Sequence, residues 1–544
     1  MDKKINMGIM LDCSRNAVFK PEQVKKFIDY MEKMGYTSLL LYTEDTYEIE
    51  GEPYFGHMRG RYTKQEFKEI DAYAKTKGVE LIPCIQMLGH LARILRWQEY
   101  HKVMDTRDIL FVGEDATYEL IEKMFKTASE CFTSRNMNIG LDEAHTLGTG
   151  RYLSKHGYTK PDSIMTYHLN RIIKIAEKYG FNLTMWSDMF FKFANNGTYK
   201  PDGIDLDLFK QATENLPKSI TPCYWDYYTQ DINHYDKMFK LHNEYMNNPA
   251  FAGGAVTWFG YAPNNEFSIK TAKVAMESVV KNNIKEVLVT LWGDAGGVCS
   301  FYSVLPSLFA YAEFSRNNFD IDDIKCKFNS LFGLDWDDFM ALDKPEYVQK
   351  TDMDLVNPAR YMVYNDLFCG TWDCTVAGGE GDTYEKIASE LKPLIKKNKE
   401  FGYIFEMEYN LCKMLAVKYE LGVKTREAYR SGDKETLKNL ANNEYKKLPK
   451  LIEIFADSVD RLWHIENKTA GSEIEDIRLG GLARRVKNCR KLILEHIKNG
   501  KEIAELNDPI LDFYIDGVKG HKQPIRCCEY DLDFSVNVLM HNRH

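Results

Sequence analysis

Short apolar runs recur along the first 300 residues of the chain, and each is followed by a stretch whose apolar positions have helical spacing. The runs are rich in β-branched residues, which is typical of buried strands, whereas the stretches between them repeat every three to four residues, as amphipathic helices do. This pattern predicts eight strands, at residues 6–12, 37–43, 79–86, 137–143, 182–188, 219–226, 252–258 and 286–292.

The stretches between the strands also carry signals for the ends of helices. Pro21 opens the first of them, and Gly35 and Gly180 close two of them, which are the positions where proline and glycine are favoured. Apolar strands that alternate with helices indicate a parallel sheet with both faces covered. With eight such units, the pattern predicts an α/β fold, a (β/α)8 TIM barrel over residues 1–315.

The pattern changes after about residue 315, where the strand-like runs stop. Long amphipathic stretches follow, among them residues 384–430 and 437–468. Apolar positions at helical spacing over such lengths are typical of helix bundles. We therefore predict a mainly α-helical C-terminal domain over residues 316–544.

Polar and tryptophan side chains occupy the carboxyl ends of all eight predicted strands. In a TIM barrel these ends meet on one face, and the active site lies there. For any single position the alternative is structural, because a tryptophan can close the core and a charge can cap a helix. The candidate site residues are Arg15, Glu44, Asp45, His90, Asp142, Glu143, Trp186, Trp225, Tyr227, Tyr228, Trp258, Trp292 and Asp294.

The composition narrows the function of these residues. The chain has 544 residues, a formal net charge of −9 and 13% aromatic residues. Because it lacks the basic excess of duplex-binding proteins, we expect no nucleic-acid partner. Residues 142–145 spell the helicase signature DEAH, but the P-loop motif GxxxxGK[ST] that a helicase also needs does not occur. Carboxylates, an arginine and tryptophans together suit a sugar, which offers hydroxyls and apolar ring faces.

The sequence also bears on cofactors and location. The 12 cysteines are scattered and include no CxxC pair, and no HExxH string occurs, so we expect free thiols, no metal and no cofactor. The apolar run at residues 6–12 is too short for a signal peptide, and no stretch approaches the roughly 20 apolar residues of a membrane span. We expect a cytoplasmic protein with no membrane partner.

The neighbouring carboxylates Asp142 and Glu143 are the most informative feature. Glycosidases with two catalytic carboxylates place them on opposite sides of the scissile bond, about 5 Å apart or more. Neighbouring residues at a strand end, with diverging side chains, suit that arrangement poorly. One of them can act as the acid while the other steers a nucleophile that belongs to the substrate. The alternative is a helix N-cap with an acidic first turn.

At this point the chain resembles a known family. The string NIGLDEAHTLG, with a preceding strand that ends in QMLGH and a first strand that ends in LDCSR, is similar to family 20 glycoside hydrolases, the exo-β-N-acetylhexosaminidases. The resemblance covers residues 5–310 and is nearest to compact bacterial members without an N-terminal α/β domain. Two motifs depart from the family: its last-strand Trp-x-Glu is Trp292-Gly-Asp294 here, and its strand-seven Tyr-x-Asp is Trp258-Phe-Gly-Tyr261.

The resemblance implies a role for each candidate. Asp142 would orient the 2-acetamido group as its oxygen attacks the anomeric carbon, and Glu143 would be the general acid and then the base. The resemblance further implies that Arg15 and Asp294 hold sugar hydroxyls and that Trp292 stacks under the sugar ring. Trp186, Trp225 and Trp258 would form the wall of the acetamido pocket, and Tyr227 or Tyr228 would donate a hydrogen bond to the acetamido oxygen. His90 with Glu44 or Asp45 would form an acid–His relay behind Glu143. A satisfied loop histidine is the alternative for His90.

The sequence thus predicts an exo-β-N-acetylhexosaminidase that removes terminal non-reducing N-acetylhexosamine with retention, through an oxazolinium intermediate. Its partner would be an oligosaccharide or glycoconjugate that ends in that sugar. The alternative, from another class, is a barrel that binds sugar without cleaving it. The helical C-terminal domain is a candidate interface for a homodimer.

Overall fold

The computed structural model describes residues 5–246, 248–528 and 534–537. Eight parallel strands pair in chain order and close into a barrel in which β8 pairs with β1, which confirms the predicted fold. The strands are β1 Asn6–Asp12, β2 Ser38–Thr43, β3 Glu80–Ile85, β4 Asn136–Asn138, β5 Asn182–Trp186, β6 Ile220–Trp225, β7 Ala250–Gly254 and β8 Glu286–Leu291.

Helices connect the strands, and some of their ends lie at the residues that the sequence signals. Pro21 is the first residue of α1, and Gly35 ends that helix with a left-handed φ of 84°. Thr63 and Glu66 form a reciprocal capping box at the start of α2. The helices up to β8 and just beyond it are α1 Pro21–Met34, α2 Lys64–Thr76, α3 Ala92–Leu95, α4 Asp115–Cys131, α5 Arg151–His156, α6 Pro161–Tyr179, α7 Asp188–Ala194, α8 Leu206–Thr213, α9 Ile232–Tyr245, α10 Asn265–Lys281, α11 Leu305–Ser315 and α12 Ile321–Phe332.

The strands are buried on both faces, as their near-continuous apolar sequences predict. In β1, the side chains of Ile9, Met10 and Leu11 have no exposed surface. Burying one such side chain contributes about 1.5–3 kcal/mol relative to leaving it exposed. The core of the barrel and its jacket of helices therefore hold the carboxyl ends of the strands in a fixed ring.

The chain divides into two compact units that interleave in sequence. The first comprises Met1–Ala255, Ser268–Trp292 and Ser307–Leu331, and the second comprises Val256–Phe267, Gly293–Pro306 and Phe332–His544. The second unit takes two segments that follow β7 and β8, whereas the sequence pattern gave one boundary at residue 315. That single boundary stays a prediction.

The second unit is built mainly of helices over the residues described. No helix in the described part of the chain has both the length and the apolar character that crossing a membrane requires. From residue 336 onwards the helices of the second unit are α13 Trp336–Met340, α14 Pro358–Tyr364, α15 Glu380–Lys397, α16 Gly402–Lys418, α17 Leu421–Ser431, α18 Lys434–Asn442, α19 Glu444–Glu466 and α20 Ser472–Asn499. They are followed by a two-stranded antiparallel pair, β9 Tyr514–Ile515 and β10 Val518–Lys519.

One strand is much shorter than predicted. The pattern placed a strand over residues 137–143, but β4 ends at Asn138. The side chain of Asn138 accepts a hydrogen bond from the backbone N–H of Gly140 (2.8 Å), and Gly140 has a left-handed φ of 71°. A left-handed residue cannot continue a strand, so Asp142 and Glu143 lie in a turn rather than at a strand end.

Candidate active site

The segment of residues 139–143 after β4, named the acid turn here, carries both neighbouring carboxylates. Its backbone is left-handed at Gly140, Leu141 and Glu143, with φ values of 71°, 72° and 50°. Positive φ at two non-glycine residues costs free energy, and such strain persists only where surrounding contacts fix it. The acid turn therefore points to a site whose geometry is held by its neighbours.

Gln86, at the end of β3, supplies those contacts. Its side chain is completely buried and donates to Asp142 Oδ1 (2.7 Å), while its oxygen accepts from the Leu141 N–H (3.3 Å). A Cβ on Gly140 would lie 2.0 Å from the Gln86 oxygen. Only glycine leaves room for this amide, and the amide in turn orients Asp142.

A polar chain continues from Gln86 to the first two strands. Gln86 Nε2 also contacts the Tyr42 hydroxyl (3.1 Å), which donates to Glu44 Oε1 (3.2 Å). The same Glu44 oxygen accepts from Arg15 Nε (3.0 Å). Burial raises the pKa of Glu44, although Arg15 and His90 oppose this shift. Side chains that follow β1, β2 and β3 thus meet the acid turn through buried hydrogen bonds.

His90 lies between the two carboxylates of the acid turn. Its Nε2 is 3.5 Å from Glu143 Oε2, and its Nδ1 is 3.9 Å from Asp142 Oδ1. Burial opposes protonation, but the Asp142 charge and the contact with Glu143 outweigh it and raise the pKa of His90 to about 9. The contact with His90, opposed by burial and assisted by Lys192, lowers the pKa of Glu143 to about 2. At neutral pH the two residues form an imidazolium–carboxylate pair.

Asp188 and Lys192, one turn apart on α7, support Glu143 from the other side. Asp188 is fully buried, and its Oδ2 accepts from the Glu143 N–H (3.1 Å) and from Lys192 Nζ (2.9 Å). Lys192 Nζ is also 3.8 Å from Glu143 Oε1. Burial raises the pKa of Asp188, and Lys192 opposes that shift. The backbone and the carboxylate of Glu143 are therefore both held from α7.

His90, Asp142 and Glu143 also offer possible metal-ligand atoms within 4.8 Å of one another. An imidazole ligand must be unprotonated, however, and a histidine with a pKa of about 9 carries its second proton at neutral pH. A cation at this donor set would therefore have to displace that proton from His90.

An aromatic group packs beside the polar chain. Trp292, 9% exposed, meets the Tyr42 ring edge-to-face with centroids 4.8 Å apart, and it lies 6.3 Å from the Trp186 ring. The Arg15 guanidinium is 5.9 Å from the Trp292 centroid. Trp186 is only 1% exposed, so its ring lies behind this surface.

A second aromatic group follows β6. Trp225 is partly exposed and stacks on Tyr227 with centroids 5.4 Å apart and an interplanar angle of 20°. Tyr227 is 7% exposed and hydrogen-bonds the side chains of Trp292 and Thr290, whereas Tyr228 is 39% exposed. Burial raises the pKa of Tyr227 well above its usual value, so its hydroxyl keeps its proton.

Three further candidates have contacts of other kinds. Asp45 pairs with Arg59 (3.2 Å) and lies beside Glu44 rather than against His90. Trp258 and Asp294 belong to the second unit, where the Ala295 N–H donates to the Trp258 carbonyl (3.1 Å). Their roles in sugar binding stay predictions.

Three residues of the site were not among the candidates: Gln86, Asp188 and Lys192. Gln86 and Asp188 follow β3 and β5, so their position at strand ends was a usable signal. For Lys192 the only signal in the sequence was its spacing of four residues from Asp188, which places both side chains on one face of a helix. That spacing is common on exposed helices and does not by itself indicate a site.

Two family models match the chain. A family model described as "Glycosyl hydrolase family 20, catalytic domain" matches residues 7–231, which include the acid turn and its contacts. A second, "Glycoside Hydrolase 20C C-terminal domain", matches residues 337–524. The chain belongs to glycoside hydrolase family 20. This confirms the resemblance that the motifs at the strand ends carry.

Individual relatives are distant. Beta-hexosaminidase 3 of Arabidopsis thaliana is 25% identical over 38% of this family 20 chain and 42% of its own length. Human Hexosaminidase D is 22% identical over 59% of this chain and 68% of its own length. The chain thus spans about two fifths of the length of the plant relative.

Solved structures of the family are similar to part of the chain. The GH20 exo-β-N-acetylglucosaminidase of Vibrio harveyi, in complex with N-acetylglucosamine, has a TM-score of 0.46 and 15% identity, and the match covers 62% of this chain and 58% of that one. The N-acetyl-β-hexosaminidase of Streptomyces plicatus has a TM-score of 0.44 and 19% identity, with coverage of 60% and 68%.

Proposed function

We propose that this family 20 protein is an exo-acting β-N-acetylhexosaminidase that hydrolyses terminal non-reducing N-acetylhexosamine with retention of configuration. The observation that carries the proposal is the acid turn, where Gln86 fixes Asp142 at 2.7 Å and His90 and Lys192 flank Glu143. One carboxylate is positioned for a bound group and its neighbour for proton transfer, which suits a nucleophile supplied by the substrate.

In the first step the acetamido oxygen of the substrate attacks the anomeric carbon, and the bond to the leaving oxygen breaks. Asp142 accepts the acetamido N–H and stabilises the positive charge that develops on the ring being formed. Its side chain is 11% exposed and one of its oxygens is already held by Gln86, so little reorganisation is needed when charge develops. Glu143 donates its proton to the leaving oxygen.

In the second step Glu143, now a carboxylate, removes a proton from water as the water oxygen attacks the anomeric carbon. The oxazolinium ring opens, the acetamido group is restored and the product keeps its original configuration. The same carboxyl group thus serves as acid and then as base. Its side chain keeps 42% of its surface exposed, so water can reach it.

The proton on the His90–Glu143 pair makes this role workable. In the free site the proton is on His90, because the pair is charge-separated at neutral pH. When a bound sugar displaces water, a neutral pair is favoured over two buried charges, so the proton moves to Glu143. Substrate binding itself therefore prepares the acid.

The remaining side chains suit the terminal sugar. Arg15, held by Glu44, would bind hydroxyls with its planar guanidinium, and Trp292 would support the apolar ring face. Tyr227 is the better candidate for the acetamido oxygen, because its protonated hydroxyl lies in the buried aromatic group and Tyr228 is exposed.

Hydrolysis of 4-nitrophenyl N-acetyl-β-glucosaminide tests the proposal. We expect turnover by the wild type and a loss of about 100-fold or more in kcat for Glu143→Gln and for Asp142→Asn, because each removes a group that acts in the transition state. Binding of N-acetylglucosamine by Asp142→Asn should stay near the wild-type value.

Two further measurements test substrate assistance and the non-hydrolytic alternative. A thiazoline that mimics the cyclised intermediate should bind the wild type far more tightly than N-acetylglucosamine does. Equal affinity for the two would contradict substrate assistance. A wild type that binds the sugar but gives no turnover would instead support the non-hydrolytic alternative.

A further inference from the structure

Two loops on the acid-turn face of the barrel carry aromatic residues that the proposed mechanism does not use. Residues 44–63 follow β2, and residues 86–110 follow β3. Tyr54 and His57 of the first loop meet Trp97 of the second, with ring centroids 5.3 and 6.0 Å apart. All three side chains are partly exposed. They form an aromatic surface that solvent can reach.

The two loops are tied together. Glu52 of the first loop accepts a hydrogen bond from the Tyr100 hydroxyl of the second (2.8 Å) and pairs with Lys123 of α4 (2.6 Å). Tyr100 is buried, and its aromatic body anchors the contact. The aromatic surface is therefore held in place before any ligand binds, which reduces the entropy cost of binding.

Two arginines lie at this surface. Arg93 and Arg96 are exposed on and beside α3, and the Arg96 guanidinium is 5.0 Å from the Trp97 centroid. Within the part of the chain that the structure describes, the side chain of Arg93 makes no hydrogen bond and no ion pair. Partial burial and the nearby Arg59 and Arg96 lower the pKa of Arg93, and Glu44 and Asp45 only partly offset them. In a chain of net charge −9, the guanidinium donors of these two exposed arginines are therefore available to an anion.

The position of this surface determines which part of a ligand it can meet. Arg93 follows His90 on the same loop and lies in electrostatic range of Glu44, which holds Arg15. The residues assigned to the terminal sugar are mostly buried, whereas Arg93, Arg96 and Trp97 are exposed or partly exposed. A glycan whose end sits at the acid turn must extend its remaining sugars towards exposed side chains.

We propose that Tyr54, His57, Arg93, Arg96 and Trp97, named the arginine–aromatic patch here, bind the leaving sugar and favour one that carries an anionic group, a carboxylate or a sulfate. The inference rests on the proposed glycosidase function and adds its substrate class. Arginine pairs with planar and tetrahedral oxyanions through its fork of N–H donors, and an aromatic face accepts the CH side of a sugar ring.

Matched disaccharides test the inference. N-acetylglucosamine is β-linked to galactose, to glucuronic acid or to 6-sulfogalactose, and kcat/KM is measured for each at low and high salt. We expect the anionic leaving sugars to exceed the neutral one by about fivefold at low salt, and the excess to shrink with added salt because exposed charges are screened. The relative sizes of the carboxylate and sulfate effects identify the anion preferred.

Variants locate the effect. Arg93→Gln should bring the ratio of anionic to neutral kcat/KM towards one, and Arg93→Lys should keep part of it, because it keeps the charge but not the fork. Lys218→Gln is the matched control. This exposed lysine precedes β6 and so lies at the opposite end of the barrel, and its loss should leave the ratio unchanged.

The outcomes separate the two proposals. No turnover of any substrate, including the nitrophenyl glycoside, would overturn the glycosidase function. Turnover with equal rates on anionic and neutral leaving sugars, or an unchanged ratio in Arg93→Gln, would overturn the inference alone. A preference only for 6-sulfate on the terminal N-acetylglucosamine would place the anion on the wrong sugar and would also overturn it.

Discussion

The His90–Glu143 pair gives the proposed reaction its pH dependence. With a pKa of about 9 on His90 and about 2 on Glu143, the pair holds one proton throughout the range between. The protonated pair is the form that can supply an acid to the leaving oxygen. We therefore expect kcat/KM to stay high through neutral pH and to fall above about pH 9, as that proton is lost.

Removing the histidine tests this dependence. We expect His90→Asn to shift the basic limb of kcat/KM to lower pH. Without His90, Glu143 would be the only source of the proton, and its pKa would rise only to about its usual value of 4.5. Asparagine tolerates the left-handed φ of 59° at this position, so the backbone is retained. Profiles from pH 4 to 10 give the measurement, and an unshifted basic limb would contradict the shared-proton mechanism.

At the scale of single residues, the sequence located the acids but not what fixes them. Asp142 and Glu143 were visible as neighbouring carboxylates after an apolar run, and His90 as a polar residue after another. The hydrogen bond from Gln86 to Asp142 joins residues that follow different strands, and it depends on the early end of β4 and the turn after it. The period-two pattern of the NIGLDE segment continues through that turn, so it could not reveal the left-handed backbone.

At the scale of elements, the acid turn depends on one glycine. We expect Gly140→Ala to lower stability by about 1–3 kcal/mol, because of the left-handed φ of 71°, and to reduce kcat further, because the new Cβ would displace the Gln86 amide. Urea unfolding and nitrophenyl glycoside kinetics measure the two effects.

Gly180→Ala is the control for that glycine. Gly180 has a φ of 73° at the end of α6, and a Cβ there would meet no atom within 4 Å. It should share the loss of stability but keep its kcat. If both variants lost the same activity, the contact between Gly140 and Gln86 would not position Asp142.

The sequence predicted the elements well where one signal dominated. β1 begins and ends at the predicted residues, because its run is apolar throughout and stops at a charged residue. β4 and β7 were predicted too long, since each is followed by apolar residues that are buried in loops: Leu141 has no exposed surface, and neither has Ala255. Burial alone therefore does not mark the end of a strand.

At the scale of the whole molecule, buried acids in the second unit link stability to pH. Burial raises the pKa of Asp343 to about 7 and of Glu346 to about 8. Because the folded pKa lies above the unfolded one, each group's stabilising contribution is complete below about pH 4 and is lost as the pH rises through 7 to 8. We expect the Tm of the full chain to fall between pH 5 and 8.5.

Glu346→Gln should reduce the fall of Tm with pH, because glutamine is uncharged like the protonated acid. Its amide oxygen can still accept the hydrogen bond from the Ala359 N–H, which lies 3.0 Å from Glu346 Oε2 in the wild type. Glu390→Gln is the control, since Glu390 is 37% exposed, pairs with Lys344 and has a lowered pKa. Thermal unfolding monitored by circular dichroism gives the Tm values. Equal slopes in wild type and Glu346→Gln would show that Glu346 is not neutral in the folded protein.

The barrel class was predictable because eight repeats of one pattern reinforce one another, so an error in any single strand does not change the result. The division into two units was less accessible. The residues of Val256–Phe267 and Gly293–Pro306 follow β7 and β8 in the chain but group with the second unit. Such grouping depends on long-range packing, which no local pattern reports.

The link from Glu52 to Tyr100 and Lys123 has a consequence for how such enzymes diverge. The segment from β2 to α4 is tied to itself through these contacts, whereas Asp142 and Glu143 arrive later, after β4. Substitutions at the tips of the two tied loops can change which glycans are accepted without disturbing the acids. Natural variation and laboratory recombination can therefore exchange the tips of these two loops and redirect substrate choice, while Glu44, Gln86 and His90 at their bases are kept and the chemistry is inherited unchanged.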